Sequence, residues 1–181
     1  MSLEQTPVTT IMSKNVEIQP FNQNLQEICK KMYEKKIGSI IIVENDLFDE
    51  SGPIYFKRDH DNLLFNAGII TERDIVRFLG TGDVLKHSIA SEIASKPLIT
   101  INSNNSLRDS IEFMAMKKIK RLPVMGSENR IVGIVSFTDV IKFISQVINQ
   151  SPILVTNEYP LYDESFVSKV NEIWSHDYIP F

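Results

Sequence analysis

The sequence of 181 residues contains a single cysteine, Cys29, and no long run of apolar residues. One cysteine excludes an internal disulfide framework and is typical of proteins from reducing compartments. A membrane-spanning helix needs about 20 consecutive apolar residues, and no run comes near that length. The N-terminal stretch MSLEQTPVTT also has no hydrophobic region of the kind found in secretory signals. We therefore expect a cytoplasmic protein with no membrane span.

Positive charge and the residues of common catalytic motifs are also scarce. The formal net charge is −4, so the chain has no overall basic field, and binding to nucleic acid is disfavoured. The three histidines, His60, His87 and His176, are too scattered to predict a metal site. Neither a GxxxxGK phosphate loop nor a GxSxG nucleophile elbow occurs. Cys29 lies on the apolar face of a predicted helix, which favours an inert thiol, so we expect no enzymatic activity.

What the chain does contain is an internal repeat. Val16–Val43 aligns without a gap with Leu98–Met125, at a constant offset of 82 residues. The stretch GIITERD at Gly68–Asp74 then matches GIVSFTD at Gly133–Asp139 at an offset of 65, because the first copy holds extra residues before Gly68. We expect a first copy over 7–80, followed by a linker and second copy over 81–149.

Both copies predict the element order β-α-β-β-α. A short extended lead-in and a polar cluster precede a stretch with helical spacing of apolar residues, such as Leu25, Ile28 and Met32 in the first copy. The next apolar run, Ile40–Val43 or its repeat, is too short for a helix and indicates a buried strand. The strand after that ends in the Gly-x-x-(Ser/Thr)-x-x-Asp motif, which leads directly into a second helix.

This duplicated pattern resembles the cystathionine-β-synthase (CBS) domain family over roughly residues 7 to 149. Two copies would form the tandem pair known as a Bateman module. The resemblance implies an α/β (α+β) fold of two pseudo-twofold-related β-α-β-β-α domains with two clefts between them. It also implies that one or both clefts bind an adenosine-containing ligand, and that the module has no catalytic activity, as in most members.

The repeated motif has a chemistry of its own. A strand that ends at Thr71 or Ser136 and turns into a helix places that hydroxyl at the helix N-cap, where backbone amides and the helix dipole favour a phosphate. A carboxylate at Asp74 or Asp139 is then able to accept hydrogen bonds from ribose hydroxyls. The alternative is a capping box, in which the two side chains satisfy only their own helix.

The two copies differ, and the resemblance extends each site to further residues. Gly133–Asp139 matches the family's nucleotide-binding form in full, whereas Arg73 replaces the middle hydroxyl in the first copy, so we prefer the Asp139 site. The alternative role of each apolar residue in these sites is ordinary core packing, and the alternative for each basic residue is a solvated position on the surface. By resemblance, the preferred site comprises Ser136, Thr138, Asp139, Ile11, Val16, Ile37, Gly38 and Ser39, and the second comprises Thr71, Arg73, Asp74, Ile93, Leu98, Ile119, Lys120 and Arg121.

Three features depart from a minimal module. An insertion over 44–66 predicts an extended hairpin with strands at Ile54–Phe56 and Leu63–Phe65, which would cover a cleft, contact a partner protein or have no function. The helix after Asp139 has an apolar arc wider than one core requires, which predicts a homodimer. The tail over 150–181 predicts a strand and an amphipathic helix, docked on the module or binding an unidentified regulated protein.

Two functional hypotheses follow. The first is a stand-alone regulatory module for energy sensing that binds AMP, ADP or ATP, with S-adenosylmethionine or NAD as less favoured ligands and no catalytic cofactor. The second is a ligand-free dimerisation or scaffold protein in which both motifs are only helix caps. The resemblance to tandem members of the family favours the first.

Overall fold

The computed structural model describes residues 3, 5–49, 54–56 and 63–150, with side chains as far as 147. The predicted tail beyond Gln150 lies outside these residues. The chain divides into two compact units. The Asp74 unit comprises Asn15–Thr100 and Ser127–Ile131, and the Asp139 unit comprises the residues up to Lys14, Ile101–Gly126 and those from Val132 onward.

The Asp74 unit is built on a three-stranded sheet in the order β1-β2-β4, with a separate β3-β5 pair. Strand β1 pairs parallel with β2, and β2 pairs antiparallel with β4. All five residues of β2 are buried, as expected for its run of β-branched side chains. The elements are β1 (Ile18–Pro20), α1 (Leu25–Lys35), β2 (Ser39–Val43), β3 (Leu63–Leu64), β4 (Ala67–Thr71), α2 (Glu72–Gly80), α3 (Ala90–Ile93) and β5 (Leu98–Ile99).

The Asp139 unit repeats this arrangement with a sheet in the order β6-β7-β8. Strand β6 pairs parallel with β7, as β1 does with β2. The predicted β-α-β-β-α order is therefore confirmed in both copies, with an added β3-β5 pair. The elements are β6 (Ile101–Asn102), α4 (Leu107–Lys117), β7 (Arg121–Met125), β8 (Ile131–Ser136) and α5 (Phe137–Gln150).

The first helix of each copy begins and ends by the same local chemistry. The Asn24 side chain accepts from Gln26 N at the start of α1, and Ser106 accepts from Asp109 N at the start of α4. Each helix ends at a lysine in the left-handed region, Lys36 with φ 53° and Lys118 with φ 56°. These two lysines are 82 residues apart, so the structural repeat follows the sequence offset.

Each unit buries its own apolar core. In the Asp74 unit, α1 packs its apolar face on β2 and β4, where the core includes Leu25, Ile28, Ile40, Ile42 and Ile70. The corresponding face of α4 is buried as well. Its fully buried side chains, with those of the following strand, include Leu107, Ile111, Met114, Leu122 and Val124.

The insertion does not form the predicted hairpin between its two apolar segments. Ile54–Phe56 is not a strand: Phe56 N donates to Asn129 O at 3.0 Å instead of to a hairpin partner. Leu63–Leu64 is a strand, but it pairs with β5, where Leu64 faces Leu98. Burial decides this outcome, because Ile54, Phe56 and Leu64 all reach an apolar environment in these positions.

The N-terminal segment packs in the Asp139 unit. Leu107 N donates to Thr6 O at 2.8 Å, and Val8 N donates to Asn105 O at 2.9 Å. Farther along, Ser13 and Ile134 exchange backbone hydrogen bonds of 2.8 Å in each direction. In the described residues, no helix has both the length and the apolar character required to cross a membrane.

Candidate functional site

The first motif forms a closed hydrogen-bond network at the start of α2. Thr71 donates to Asp74 Oδ2 from its backbone N at 2.8 Å and from its hydroxyl at 2.6 Å. Arg77 Nη2 donates to the other carboxylate oxygen, Oδ1, at 2.9 Å. Ser95 Oγ lies 3.5 Å from the same Oδ1. Asp74 is 6% exposed, so a buried carboxylate has both of its oxygens occupied by the protein itself.

The second motif repeats only half of this network at the start of α5. Ser136 donates to Asp139 Oδ2 from its backbone N at 2.9 Å and from its hydroxyl at 2.6 Å. Asp139 N donates back to Ser136 Oγ at 3.2 Å. Within the described part of the chain, Asp139 Oδ1 has no hydrogen-bond donor, and Asp139 is only partly buried.

Both motifs therefore form the helix caps that the alternative interpretation predicted. A cap of this kind uses a single carboxylate oxygen, Oδ2, in each copy. It leaves the other oxygen able to accept a further hydrogen bond. In the first copy Arg77 donates to this second oxygen, Oδ1. In the second copy no described residue donates to Oδ1, so a ligand is able to do so. Capping and ligand binding are thus compatible at Asp139.

A glycine in each motif allows a backbone segment to approach closely. A Cβ atom added at Gly133 would lie 2.5 Å from Met12 Sδ and 2.9 Å from Ser13 O. One added at Gly68 would lie 2.9 Å from Ser95 O. Both glycines are followed by a residue that bridges to the approaching segment, Ile134 to Ser13 and Ile69 to Ser95. Close approach therefore explains why each motif begins with glycine.

The predicted site residues are distributed over both units. Ile11 and Thr138 lie in the Asp139 unit, where Thr138 is exposed. Ile93 and Arg73 lie in the Asp74 unit, where Arg73 is exposed. Leu98 is fully buried, in keeping with its alternative role as core. Four residues predicted for the Asp139 site lie in the Asp74 unit: Val16, Ile37, Gly38 and Ser39. Three predicted for the Asp74 site lie in the Asp139 unit: Ile119, Lys120 and Arg121.

Those residues flank the helix start of the unit that contains them. Ser39 is the register partner of Thr71, and Gly38 O accepts from Glu72 N at 3.3 Å. In the Asp139 unit, Lys120 O accepts from Phe137 N at 2.9 Å. The beginning of the first long strand therefore meets the beginning of the second helix in each copy. That these residues contribute to the ligand site of the other copy remains a prediction.

Three residues that contact the two motifs were not predicted from the sequence. Arg77 lies three residues after Asp74, the spacing that brings two side chains onto one helix face, so a local signal was present. Ser13 and Ser95 are 82 residues apart and approach the two motif glycines in the same way. Because this separation equals the repeat offset, the sequence already indicated that the two serines are equivalent.

Other reactive groups offer little support for catalysis. Burial raises the pKa of the Cys29 thiol, which disfavours the nucleophilic thiolate. Among the residues that the structure describes, no three His, Cys, Asp or Glu side chains are grouped as a metal site would require.

Comparison with known proteins identifies the repeat. The CBS domain family model matches residues 90–146. The CBS domain-containing protein YhcV of Bacillus subtilis is 29% identical over 130 residues, which cover 72% of this chain and 78% of YhcV. Uncharacterized protein MK0525 of Methanopyrus kandleri is 32% identical over 117 residues, covering 64% of this chain and 51% of MK0525. The chain thus spans about half the length of that relative.

A solved structure extends the similarity across both copies. The CBS domain pair of protein MJ0100, in complex with 5′-methylthioadenosine and S-adenosyl-L-methionine, is 25% identical with a TM-score of 0.59. The match covers 77% of this chain and 99% of that one. The family match thus shows a CBS domain over residues 90–146, and the repeated β-α-β-β-α order makes the chain as a whole similar to a tandem pair of such domains.

Proposed function

We propose that this chain is a regulatory module that senses an adenosine derivative at the start of α5. AMP, ADP and ATP are the first candidates, and S-adenosylmethionine and NAD are further ones. The observation that carries the proposal is the difference between the two aspartates. Asp139 keeps Oδ1 available within the described part of the chain, whereas Asp74 gives that oxygen to Arg77.

The chemistry at Asp139 fits a nucleoside with a phosphate or another anionic group. A ribose hydroxyl donating to Asp139 Oδ1 would form a charge-assisted hydrogen bond. The exposed Thr138 hydroxyl makes no hydrogen bond in the described residues, so it is available as a second contact. The N-terminal end of α5 favours negative charge beside them. The adenosyl ligands of the MJ0100 pair support this ligand class.

Regulation requires that the ligand bind one arrangement of the protein better than another. We propose that the module forms a homodimer through α2 and α5 and that occupancy changes how a partner protein is contacted. On α2, Val76 is 69% exposed and Leu79 is 48% exposed, and a spacing of three residues places both aliphatic side chains on one helix face. On α5, Ile141, Phe143, Ile144 and Val147 are only partly buried. These side chains would be covered in a dimer.

A thermal-shift screen with AMP, ADP, ATP, S-adenosylmethionine and NAD tests the proposal. A ligand that binds only the folded state raises the melting temperature, and the shift grows with the ratio of ligand concentration to Kd. We expect a shift with at least one adenine nucleotide. The absence of a shift with every compound at millimolar concentration would contradict the proposal.

A second function is a ligand-free scaffold that dimerises and regulates a partner. The observation in its favour is that the hydroxyl and the carboxylate of each motif already hydrogen-bond each other at the start of their own helix. The same screen distinguishes the two, since a scaffold would dimerise and yet show no shift with any nucleotide.

A further inference from the structure

An open cavity of about 500 Å³ lies in the Asp74 unit, and its described lining does not include the motif at Thr71. It is lined by β1 and the two residues before it, by α1, by the insertion, by Arg130 and by the first residue of β8. Its volume falls within the range of small-molecule sites in proteins. The residues on which the argument depends are Glu17, Gln19, Lys31, Lys35, Phe48 and Arg130.

The insertion forms one wall of this cavity. Phe48 and Ile54 line it, and Ile54 is almost completely buried. The neighbouring Tyr55 ring lies 5.7 Å from the Arg130 guanidinium, in cation–π geometry. Phe56, two residues after Ile54, is tied to Asn129 by its backbone hydrogen bond. Described residues of the insertion therefore line the cavity, and Tyr55 contacts Arg130 at its border.

At the β1 side of the cavity, Glu17 is fully engaged. Its side chain is 12% exposed and accepts from Gln19 Nε2 at 2.8 Å and from Lys35 Nζ. Burial by itself raises the pKa of Glu17, but the bonds from Lys35 and Gln19 and the charge of Lys31 outweigh it and lower the pKa. Glu17 is thus an ionised carboxylate with Lys35 as its direct partner.

Two further cations at the cavity, Lys31 and Arg130, are held by longer ion pairs without a hydrogen bond to their carboxylate partners. Lys31 Nζ is 3.6 Å from Glu17 Oε1, and Arg130 Nη1 is 3.6 Å from the exposed Glu128. Both separations exceed hydrogen-bond distance. Within the described residues, neither side chain donates a hydrogen bond. Three cations, Lys31, Lys35 and Arg130, therefore line the cavity, and its described lining contains two carboxylates, Glu17 and Asp49.

The second copy does not carry this lining. At the offset of 82 residues, Glu17, Gln19 and Lys31 correspond to Ile99, Ile101 and Phe113. The same fold is therefore built with apolar side chains at all three positions. Burial of the Glu17 carboxylate costs desolvation energy that an apolar side chain avoids, whereas the Lys31 and Arg130 side chains remain 33% and 43% exposed. The first copy thus presents accessible charged groups at a cavity where the second copy has apolar side chains.

We propose that this cavity is a second ligand site, which binds an anionic small molecule through Lys31 and Arg130. A phosphate or carboxylate group supplies the acceptors that these two donors lack, and the planar guanidinium of Arg130 suits a bidentate contact. Phe48 and Ile54 supply an apolar wall for the remainder of the molecule. The site is independent of Asp139 and of the nucleotide proposed there.

Titrations with inorganic pyrophosphate and with citrate, followed by NMR of the backbone amides at constant ionic strength, test this site. At least one anion should give saturable shifts at Glu17–Gln19 and near Arg130. Lys31→Ala and Arg130→Ala should each weaken binding by about tenfold or more. Lys30→Ala is the matched control, because Lys30 is exposed on the same helix and does not line the cavity.

Asp139→Ala separates this site from the proposed nucleotide site, and binding of the anions should be unchanged in that variant. Shifts confined to the region of Ser136 and lost in Asp139→Ala would overturn the cavity proposal while leaving the nucleotide proposal intact. The cavity proposal would also be overturned if neither anion bound at millimolar concentration, or if Lys31→Ala and Arg130→Ala bound like the wild type.

Discussion

Arg77 donates a hydrogen bond to Asp74 Oδ1, the carboxylate oxygen that corresponds to Asp139 Oδ1, to which no donor bonds in the described part of the chain. The position equivalent to Arg77 in the second copy, at the offset of 65, is Lys142. Lys142 is exposed and makes no ion pair with Asp139 in the described residues. The Arg77 contact, together with Ser95 Oγ at 3.5 Å from the same oxygen, thus distinguishes the Asp74 helix start from the otherwise similar one at Asp139.

Removing Arg77 should improve nucleotide binding at the Asp74 site. The Arg77 side chain is 67% exposed, so its ion pair with Asp74 contributes only about 1 kcal/mol, and a ligand must displace it. In an Asp139→Ala background, Arg77→Ala should therefore raise nucleotide affinity up to about fivefold by calorimetry. Lys142→Ala in the wild type is the control and should give no gain. A loss of affinity on removing Arg77 would mean that Arg77 contacts the ligand.

Filling the close approach at Gly133 should destabilise the protein. The added methyl group of Gly133→Ala meets Met12, which is flexible, and the backbone carbonyl of Ser13, which is not. We expect a loss of about 1 to 3 kcal/mol in the free energy of unfolding, measured by urea denaturation. Gly80→Ala is the control, since a Cβ atom there has nothing within 4 Å. Equal stability of the two variants would contradict the packing of Met12 and Ser13 against β8.

The stability of the protein should depend on pH through Glu17. Because its pKa is lowered in the folded state, Glu17 stabilises the fold above its unfolded pKa of about 4.3, and this stabilisation is lost as the pH falls through the folded value. Glu17→Gln should cost about 1 to 2 kcal/mol at neutral pH, and the difference from wild type should disappear in acid.

Denaturation curves at a series of pH values measure this difference. Glu34→Gln, on the exposed part of the helix that carries Lys31 and Lys35, is the control and should follow the wild type throughout. A Glu17→Gln deficit that stayed constant down to the lowest pH would show that the charge of Glu17 does not stabilise the fold.

Homodimerisation should depend on the exposed apolar side chains of α2. Sedimentation should show a dimer at micromolar concentration, and Leu79→Glu should shift it toward monomer, because a charge would be buried in the interface. Tyr33→Glu is the control: Tyr33, 85% exposed, is the most exposed large apolar residue that the structure describes, but it lies on α1. A wild-type protein that sediments only as a monomer would refute the dimer.

The sequence predicted the repeat, its element order and its helix caps, because these depend on local spacing. The capping box at Ser136 and Asp139 follows from a separation of three residues. Pairings between distant segments were not predictable in this way. Ile54–Phe56 has strand composition, yet its backbone partner is Asn129, far along the chain, and Leu64 pairs with Leu98. Burial against those residues outweighs β propensity.

The same distinction applies to the candidate site. Ser136 and Asp139 were identified from their motif, and their contact is local. Whether Asp139 Oδ1 accepts a hydrogen bond depends on which donors the fold brings near it. Its availability was therefore recognisable only from the structure. Arg77 was within reach of sequence reasoning, since helical spacing pairs it with Asp74.

The central proposal is tested most directly by measuring adenine nucleotide affinity in Asp139→Ala beside Asp109→Ala. Asp109 forms the same box with Ser106 at the start of α4, so both variants lose a comparable helix cap. If Asp139 binds the ribose, calorimetry should show affinity lowered about 10- to 150-fold in Asp139→Ala and unchanged in Asp109→Ala. Unchanged affinity in Asp139→Ala, in a protein that binds nucleotide, would contradict the assignment.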